Sequence, residues 1–308
     1  MAFPLPASLK KGDRISLIAT ARWMDPALVE STEKILRTKG YEPIRGAHLL
    51  KRHGQFAGTD AERAADFQAA LDDSLCRAIL IMRGGYGSHR ILDKIHLDGF
   101  KKSPKWLVGF SDVTAIHGFF QKHDLPSLHA PMPSTYAAST ELAMKELFQV
   151  MEGKSPLWEL ATDSRSIHGK AKGRLIGGNL SVISSILFTP CFEVRRGDIL
   201  ILEDLDEMIY HVDRMMLQLS RSGILKQLGG LILGGFSDMR DNTKAHGFSV
   251  DNPYGMSAEE IILSYAKELG VPVMVNAPIG HIADNRPMIL GSQAELEVLS
   301  NRSILTCL

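Results

Sequence analysis

The 308-residue chain contains only three cysteines, Cys76, Cys191 and Cys307, and no CxxC spacing. An odd count without a pairing pattern argues against a disulfide framework and fits a reducing compartment. No apolar run approaches the roughly 20 residues of a membrane span. Surplus charge is also missing, since 35 Lys and Arg offset 35 Asp and Glu. A neutral balance disfavours non-specific nucleic-acid binding, although it leaves room for a local basic pocket. The turn after the first apolar strand, Ala21-Arg22-Trp23-Met24, has no glycine and therefore no dinucleotide fingerprint. There is no GxxxxGK[ST] phosphate loop, and the 11 histidines form neither HExxH nor HxxEH. No metal and no organic cofactor is expected.

The N-terminus superficially suggests export, because lysines precede the apolar Ile15–Ala19 and Ala19-Thr20-Ala21 has small-residue cleavage character. However, Gly12-Asp13-Arg14 interrupts the approach, and the apolar run is about half of a signal core. The segment reads as a first buried strand, and the expected location is cytoplasmic.

What is present is an ordinary globular composition, 44% hydrophobic and 23% charged. A chain of this size buries roughly 75% of its extended surface without staples. Short apolar strands alternate with amphipathic helices in the first half. Arg14–Thr20, Ala78–Met82 and Trp106–Phe110 read as strands. Helices are expected after Asp25-Pro26 as far as Gly40, from Thr59-Asp60-Ala61-Glu62 to Leu71, and over Val113–His123. This alternation predicts a parallel sheet covered on both faces, with ligands at the strands' carboxyl ends. The aperiodic, polar segment 153–170 is expected to link residues 1–152 to a second, mixed α/β domain over 171–308 with a β-rich end. In that domain Ile199–Leu202, Leu231–Leu233 and Val271–Val275 read as strands. Val212–Leu219 and Ser257–Leu269 read as helices, with Met215 and Met216 as core.

Ser111 stands where an apolar strand, Trp106–Phe110, meets a helix. Such an elbow suits a nucleophile at a helix N-terminus, yet a serine there is equally suited to capping the helix. Val113 replaces the second glycine of GxSxG, so an α/β-hydrolase label does not follow. Gly235-Phe236-Ser237-Asp238 repeats Gly109-Phe110-Ser111-Asp112 without a following helix, and Ser237 reads as a loop residue lining a cleft. Arg83-Gly84-Gly85-Tyr86-Gly87-Ser88 follows the Ala78–Met82 strand and is either a tight turn or a source of oxyanion donors. Arg83 suits a carboxylate partner or a surface salt bridge. Glu203 closes an apolar strand, where a carboxylate can orient a histidine. His281, in Gly280-His281-Ile282-Ala283-Asp284-Asn285, is a candidate general base.

Taken together and in chain order, Arg83-Gly84-Gly85-Tyr86-Gly87, Gly109-Phe110-Ser111-Asp112, Gly177-Gly178-Asn179-Leu180, Leu202-Glu203-Asp204 with the Val212–Leu219 helix, Gly234-Gly235-Phe236 and Gly280-His281 resemble the LD-carboxypeptidase (muramoyltetrapeptide carboxypeptidase) family across nearly the whole chain. The resemblance implies a flavodoxin-like or amidotransferase-like N-terminal layer, a distinct C-terminal α/β domain and an active site in the cleft between them. It also implies a serine peptidase with Ser111 as nucleophile, Glu203 as acid and His281 as base. The backbone N–H groups of Asp112 and Gly85 would form the oxyanion hole, and Arg83, Gly84, Tyr86 and Asn179 would contact substrate. The implied reaction releases D-alanine from a murein tetrapeptide during peptidoglycan recycling, and a homodimer is the family expectation. Two alternatives are a self-immunity hydrolase of a peptidyl-nucleotide antibiotic and a catalytically silent peptide-binding protein. The first favours an aromatic side chain placed to stack on a base, but Trp106 reads as a buried strand residue and Trp158 falls in the linker.

Overall fold

A computed structural model of the chain describes residues 5–308. The first part runs β1 (Arg14–Ile18), α1 (Pro26–Thr38), β2 (Glu42–Arg45), α2 (Asp60–Asp72), β3 (Cys76–Ile81), α3 (Asp98–Lys102), β4 (Trp106–Gly109), α4 (Thr114–Lys122), β5 (Ser127–His129) and α5 (Glu141–Met151). It continues through β6 (Leu157–Ala161), β7 (Gly169–Asn179), α6 (Leu180–Ile186), β8 (Ile199–Leu205), α7 (Ile209–Arg221), β9 (Gly230–Ser237) and α8 (Ala258–Ala266). The chain closes with β10 (Val273–Met274), β11 (Met288–Leu290), β12 (Gln293–Val298) and β13 (Arg302–Cys307).

The strands form two sheets, a two-domain α/β architecture. In the first, the order is β11-β5-β4-β3-β1-β2, parallel except for β11. Read from the other edge, the parallel strands run 2-1-3-4-5, the flavodoxin order, whose ligand crevice opens between the loops leaving β1 and β3. The second sheet, β10-β9-β8-β7-β12-β13-β6, is parallel from β10 to β7 and antiparallel from β7 to β6. Two extended apolar cores each draw on both sheets.

Local chemistry explains the elements seen in sequence. Asp25 caps α1 with Pro26 in its first turn, and Thr59 and Glu62 complete a capping box on α2. Each such cap contributes about 1 kcal/mol. Gly40, at φ +89°, ends the α1 region as expected. Met215 and Met216 are buried on the core face of α7.

Two expectations need correction. The segment 153–170 is not a bare linker, because β6 lies within it and pairs with β13, burying Trp158. Its polar pattern follows from an edge strand with one face in water. The final segment is not confined to the second sheet either. β11 crosses back to pair antiparallel with β5, through Met288 opposite His129 and Leu290 opposite Ser127. Among the described residues, no helix is long and apolar enough to cross a membrane.

Candidate active site

Ser111 directly follows the β4 end and Phe110, and opens a 3-10 turn, Ser111–Val113, that leads into α4. Its φ is +62°, an unfavourable conformation for a residue with a Cβ. Gly109 makes this elbow possible, since a Cβ there would meet the Val113 side chain at 2.8 Å. Below the turn, buried His117 bridges the Gly109 carbonyl (2.9 Å) and the Ser127 hydroxyl (2.8 Å). Because a carbonyl only accepts, Nε2 carries the proton and Nδ1 accepts from serine. Burial lowers the His117 pKa to about 4, so this strut is uncharged at neutral pH.

The Ser111 hydroxyl does not cap the helix. Its Oγ instead lies 3.0 Å from Nε2 of His281, whose Nδ1 lies 2.6 Å from Oε2 of Glu203. Since a carboxylate accepts, Nδ1–H donates to Glu203 and leaves the Nε2 lone pair facing the serine proton. Residues from both sheets, far apart in sequence, thus form a continuous hydrogen-bonded line.

Glu203 is fully buried on β8. Between the pairs Leu202–Leu233 and Asp204–Phe236 the β8–β9 register shifts, so Glu203 alone spans Gly234 and Gly235. This bulge turns the carboxylate toward the cleft. Glu203 Oε1 has no hydrogen-bond partner among the described residues. Neighbouring Asp204 points into a different network, accepting from Asn179 Nδ2 (2.8 Å), Ser181 N (2.9 Å) and Leu205 N (2.9 Å). Burial and the Glu203 charge push Asp204 up to about 7 despite these three donors.

His281 sits in a loop tied to both halves of the molecule. Ser237 Oγ donates to the His281 carbonyl (2.8 Å), and Gly280 N–H donates to Asn285 Oδ1 (3.0 Å). Thr140, at the start of α5, donates its N–H to the Ala283 carbonyl (2.8 Å) and its hydroxyl to Asp284 (2.9 Å). Gly280 has φ +102°, and a Cβ there would lie 2.6 Å from Glu203 Cβ. Burial alone would lower the His281 pKa. The charge and hydrogen bond of Glu203, with the Asp204 charge, outweigh it and leave the pKa raised.

The glycine loop packs against Ser111. A Cβ on Gly84 would stand 3.3 Å from Ser111 Oγ. The loop is fixed by the buried Asp112 carboxylate, which accepts from Ser88 N (2.8 Å). It is also fixed by buried Arg63, which donates to the carbonyls of Thr20 and Gly87 and to Asp60. Arg63 and the Asp112 side chain were not singled out in sequence. The Arg63 signal was a charged residue within the apolar face of α2.

Other expected contacts fall differently. The Asn179 side chain is engaged within the protein, its Oδ1 accepting from Val182 N to cap α6 and from Ser181 Oγ, and its Nδ2 donating to Asp204. It holds the β8 end in place. Ser237 lies on β9 rather than in a loop and acts on the His281 backbone. Arg83 is half-buried and donates to the Trp23 carbonyl at 2.9 Å. Tyr86 is exposed, with its ring tilted against Phe56 at 6.0 Å. A cavity of about 260 Å³ adjoins His281, lined by Phe110, Thr135, Ser139, Ile282 and Asn285 among others.

Residues 15–130 match the model of the LD-carboxypeptidase N-terminal domain, and residues 172–296 match that of the LD-carboxypeptidase C-terminal domain. The chain belongs to the LD-carboxypeptidase family. It is 33% identical to a probable murein peptide carboxypeptidase of Bacillus subtilis, over 97% of this chain and 93% of that protein. It is 32% identical to a murein tetrapeptide carboxypeptidase of Pseudomonas aeruginosa, over 92% of this chain and 93% of that one. A crystal structure of muramoyltetrapeptide carboxypeptidase from Oxalobacter formigenes superposes with a TM-score of 0.85 at 27% identity, covering 96% of this chain and 98% of that one. The microcin C7 self-immunity protein shares the fold, with a TM-score of 0.84 at 21% identity over 98% of both chains.

Proposed function

We propose that this protein is a serine carboxypeptidase that cleaves an L,D-amide bond and releases the terminal D-alanine of a murein tetrapeptide in peptidoglycan recycling. The observation that carries this reading is the Ser111–His281–Glu203 line at 3.0 and 2.6 Å in a chain of the LD-carboxypeptidase family. His281 Nε2 takes the Ser111 proton as Oγ attacks the scissile carbonyl, while Glu203 fixes the tautomer and stabilises the imidazolium. The N–H groups of Gly85 and Asp112 receive the oxyanion, and each such donor is worth roughly 3 kcal/mol in the transition state. Gly85 suits this role because its N–H makes no hydrogen bond within the protein, among the described residues.

His281 then protonates the departing amine, and water, activated by the same histidine, hydrolyses the acyl-enzyme. Since the leaving amine must lie against His281, the neighbouring 260 Å³ cavity takes the D-alanine. The acyl portion then extends the other way, over the glycine loop. A cytoplasmic location suits action on released peptides, and the three buried thiols Cys76, Cys191 and Cys307 are compatible with it.

The test is D-alanine release from two peptides, a tetrapeptide with an L,D terminal bond and a pentapeptide ending in a D,D bond. Release from the first alone supports the reading. Binding of the tetrapeptide without release would instead favour a peptide-binding protein.

A further inference from the structure

A second cavity, of about 320 Å³, is lined by Arg22, Trp23, Arg52, Gly54, Gln55 and Arg83. Three arginines line it. None of the three forms an ion pair among the described residues, in contrast to Arg63 and Arg90, which engage Asp60. The nearby acids are committed elsewhere. Asp25 caps α1, Asp60 binds those two arginines, and Glu62 closes the α2 capping box. Unneutralised like charges held together cost energy unless an anion joins them.

Trp23 organises the group. Its carbonyl accepts from Arg83 Nη1 (2.9 Å), and its ring lies under the Arg52 guanidinium at 4.9 Å. Trp23 is itself pinned to the following loop through its N–H and the Gln55 carbonyl (2.9 Å), next to the Arg22–Phe56 bridge. Each arginine keeps free N–H donors, the fork geometry that binds carboxylates bidentately.

The position relative to the nucleophile is set by consecutive glycines. A Cβ on Gly84 would touch Ser111, and a Cβ on Gly85 would fall 2.5 Å from Arg22 Cδ. The Arg22 side chain therefore lies across the residue next to the one that packs on the nucleophile. In sheet order, Ser111 follows β4, the glycines and Arg83 follow β3, Arg22 follows β1 and Arg52 follows β2. The arginines thus straddle the β1/β3 switch point, where open α/β sheets bind ligands.

We propose that Arg22, Arg52 and Arg83 form a carboxylate-binding subsite for the acyl portion of the substrate, so that the enzyme selects peptides by an acidic group away from the scissile bond. This deepens the functional reading above and rests on it. It also assigns Arg83 a role on the acyl side. Trp23 is a positioning residue that acts through Arg52 and Arg83.

The test compares wild type with R22A, R52A and R52K on tetrapeptides carrying diaminopimelate or L-lysine at the third position. Removing one charged hydrogen-bonding partner at an exposed site raises KM about ten-fold, with kcat within two-fold. R52K recovers part of this because the charge persists while the fork is lost. A rise confined to the diaminopimelate peptide supports the site and assigns its side-chain carboxylate. An equal rise for both peptides supports the site and assigns a carboxylate they share. An unchanged KM, or a fall in kcat alone, overturns the proposal. Calorimetric binding of citrate at low salt supplies an arm that needs no turnover. Citrate bound by wild type and lost in R22A/R52A, in a protein that releases no D-alanine, would refute the carboxypeptidase reading while supporting the anion site. Equal citrate binding by the two proteins overturns the site.

Discussion

Replacing Gly280 by alanine tests how tightly His281 is held. Two costs can be read from the structure. The φ of +102° suits glycine alone, and an L-residue forced there costs about 1–3 kcal/mol. The new Cβ would also sit 2.6 Å from Glu203 Cβ, 2.7 Å from Oε2 and 2.8 Å from Cγ. Glu203 is fully buried on a central strand, so it has little room to retreat. Overpacking of this kind adds about 1–3 kcal/mol, for a total loss of about 2–6 kcal/mol. One of the atoms struck, Oε2, is the one that holds His281, and displacement of a catalytic group by about 1 Å costs roughly 100-fold in rate. Gly247→Ala is the control, because its φ is +89° but nothing lies within 4 Å of the added Cβ. It should lose only the backbone term and keep full activity. Denaturant melts and initial rates of D-alanine release on both variants separate strain from site damage. A Gly280→Ala protein with wild-type kcat would refute the claim that this glycine sets the Glu203–His281 distance.

Further outcomes follow from the same geometry. The raised His281 pKa places the acidic limb of kcat/KM above pH 6.5, since the base must be neutral and activity falls as pH drops through that pKa. Glu203→Gln should move the limb downward and cut kcat about 10⁴-fold by removing the charge and disturbing the tautomer, as pH–rate profiles will show. The same raised pKa favours the folded state below the unfolded value and loses that contribution as pH rises through the folded one. Wild type minus His281→Ala stability should therefore shrink as pH rises above about 6.5 in denaturant melts. Asp112→Ala strands the buried Ser88 N–H and should cost about 1–3 kcal/mol in the same melts. Ser237→Ala frees the His281 carbonyl and should lower kcat more than it raises KM.

The first sheet was largely legible because its helices carry their own punctuation, Asp25-Pro26 and the Thr59–Glu62 box, and its buried strands are unbroken apolar runs. Where an element's burial is set by a distant partner, the sequence carried little. β6 looks like polar linker until β13 covers one face, and β5 is only three residues long, recognisable by its pairing to β4 and β11. Strand β7 is rich in glycine because Gly177 must clear the Ile201 carbonyl and Gly178 must clear Thr114. That close approach belongs to tertiary structure and leaves no periodicity. At the site, the sequence left open whether the Ser111 hydroxyl caps the helix, and only the fold turns its Oγ to His281. The Glu203 and His281 positions came from family resemblance, since a bulge at Gly234-Gly235 and a loop tied by Ser237 have no local signature. Arg22 and Arg52 passed unremarked because an isolated surface arginine is ordinary. Only the fold gathers them with Arg83.

The most direct measurement is D-alanine release from murein tetrapeptide by wild type and Ser111→Ala, run in parallel at equal folded concentration. The account predicts sustained release by wild type and a loss of at least about 10³-fold in the variant, with tetrapeptide still bound. Equal release by the two proteins would contradict it.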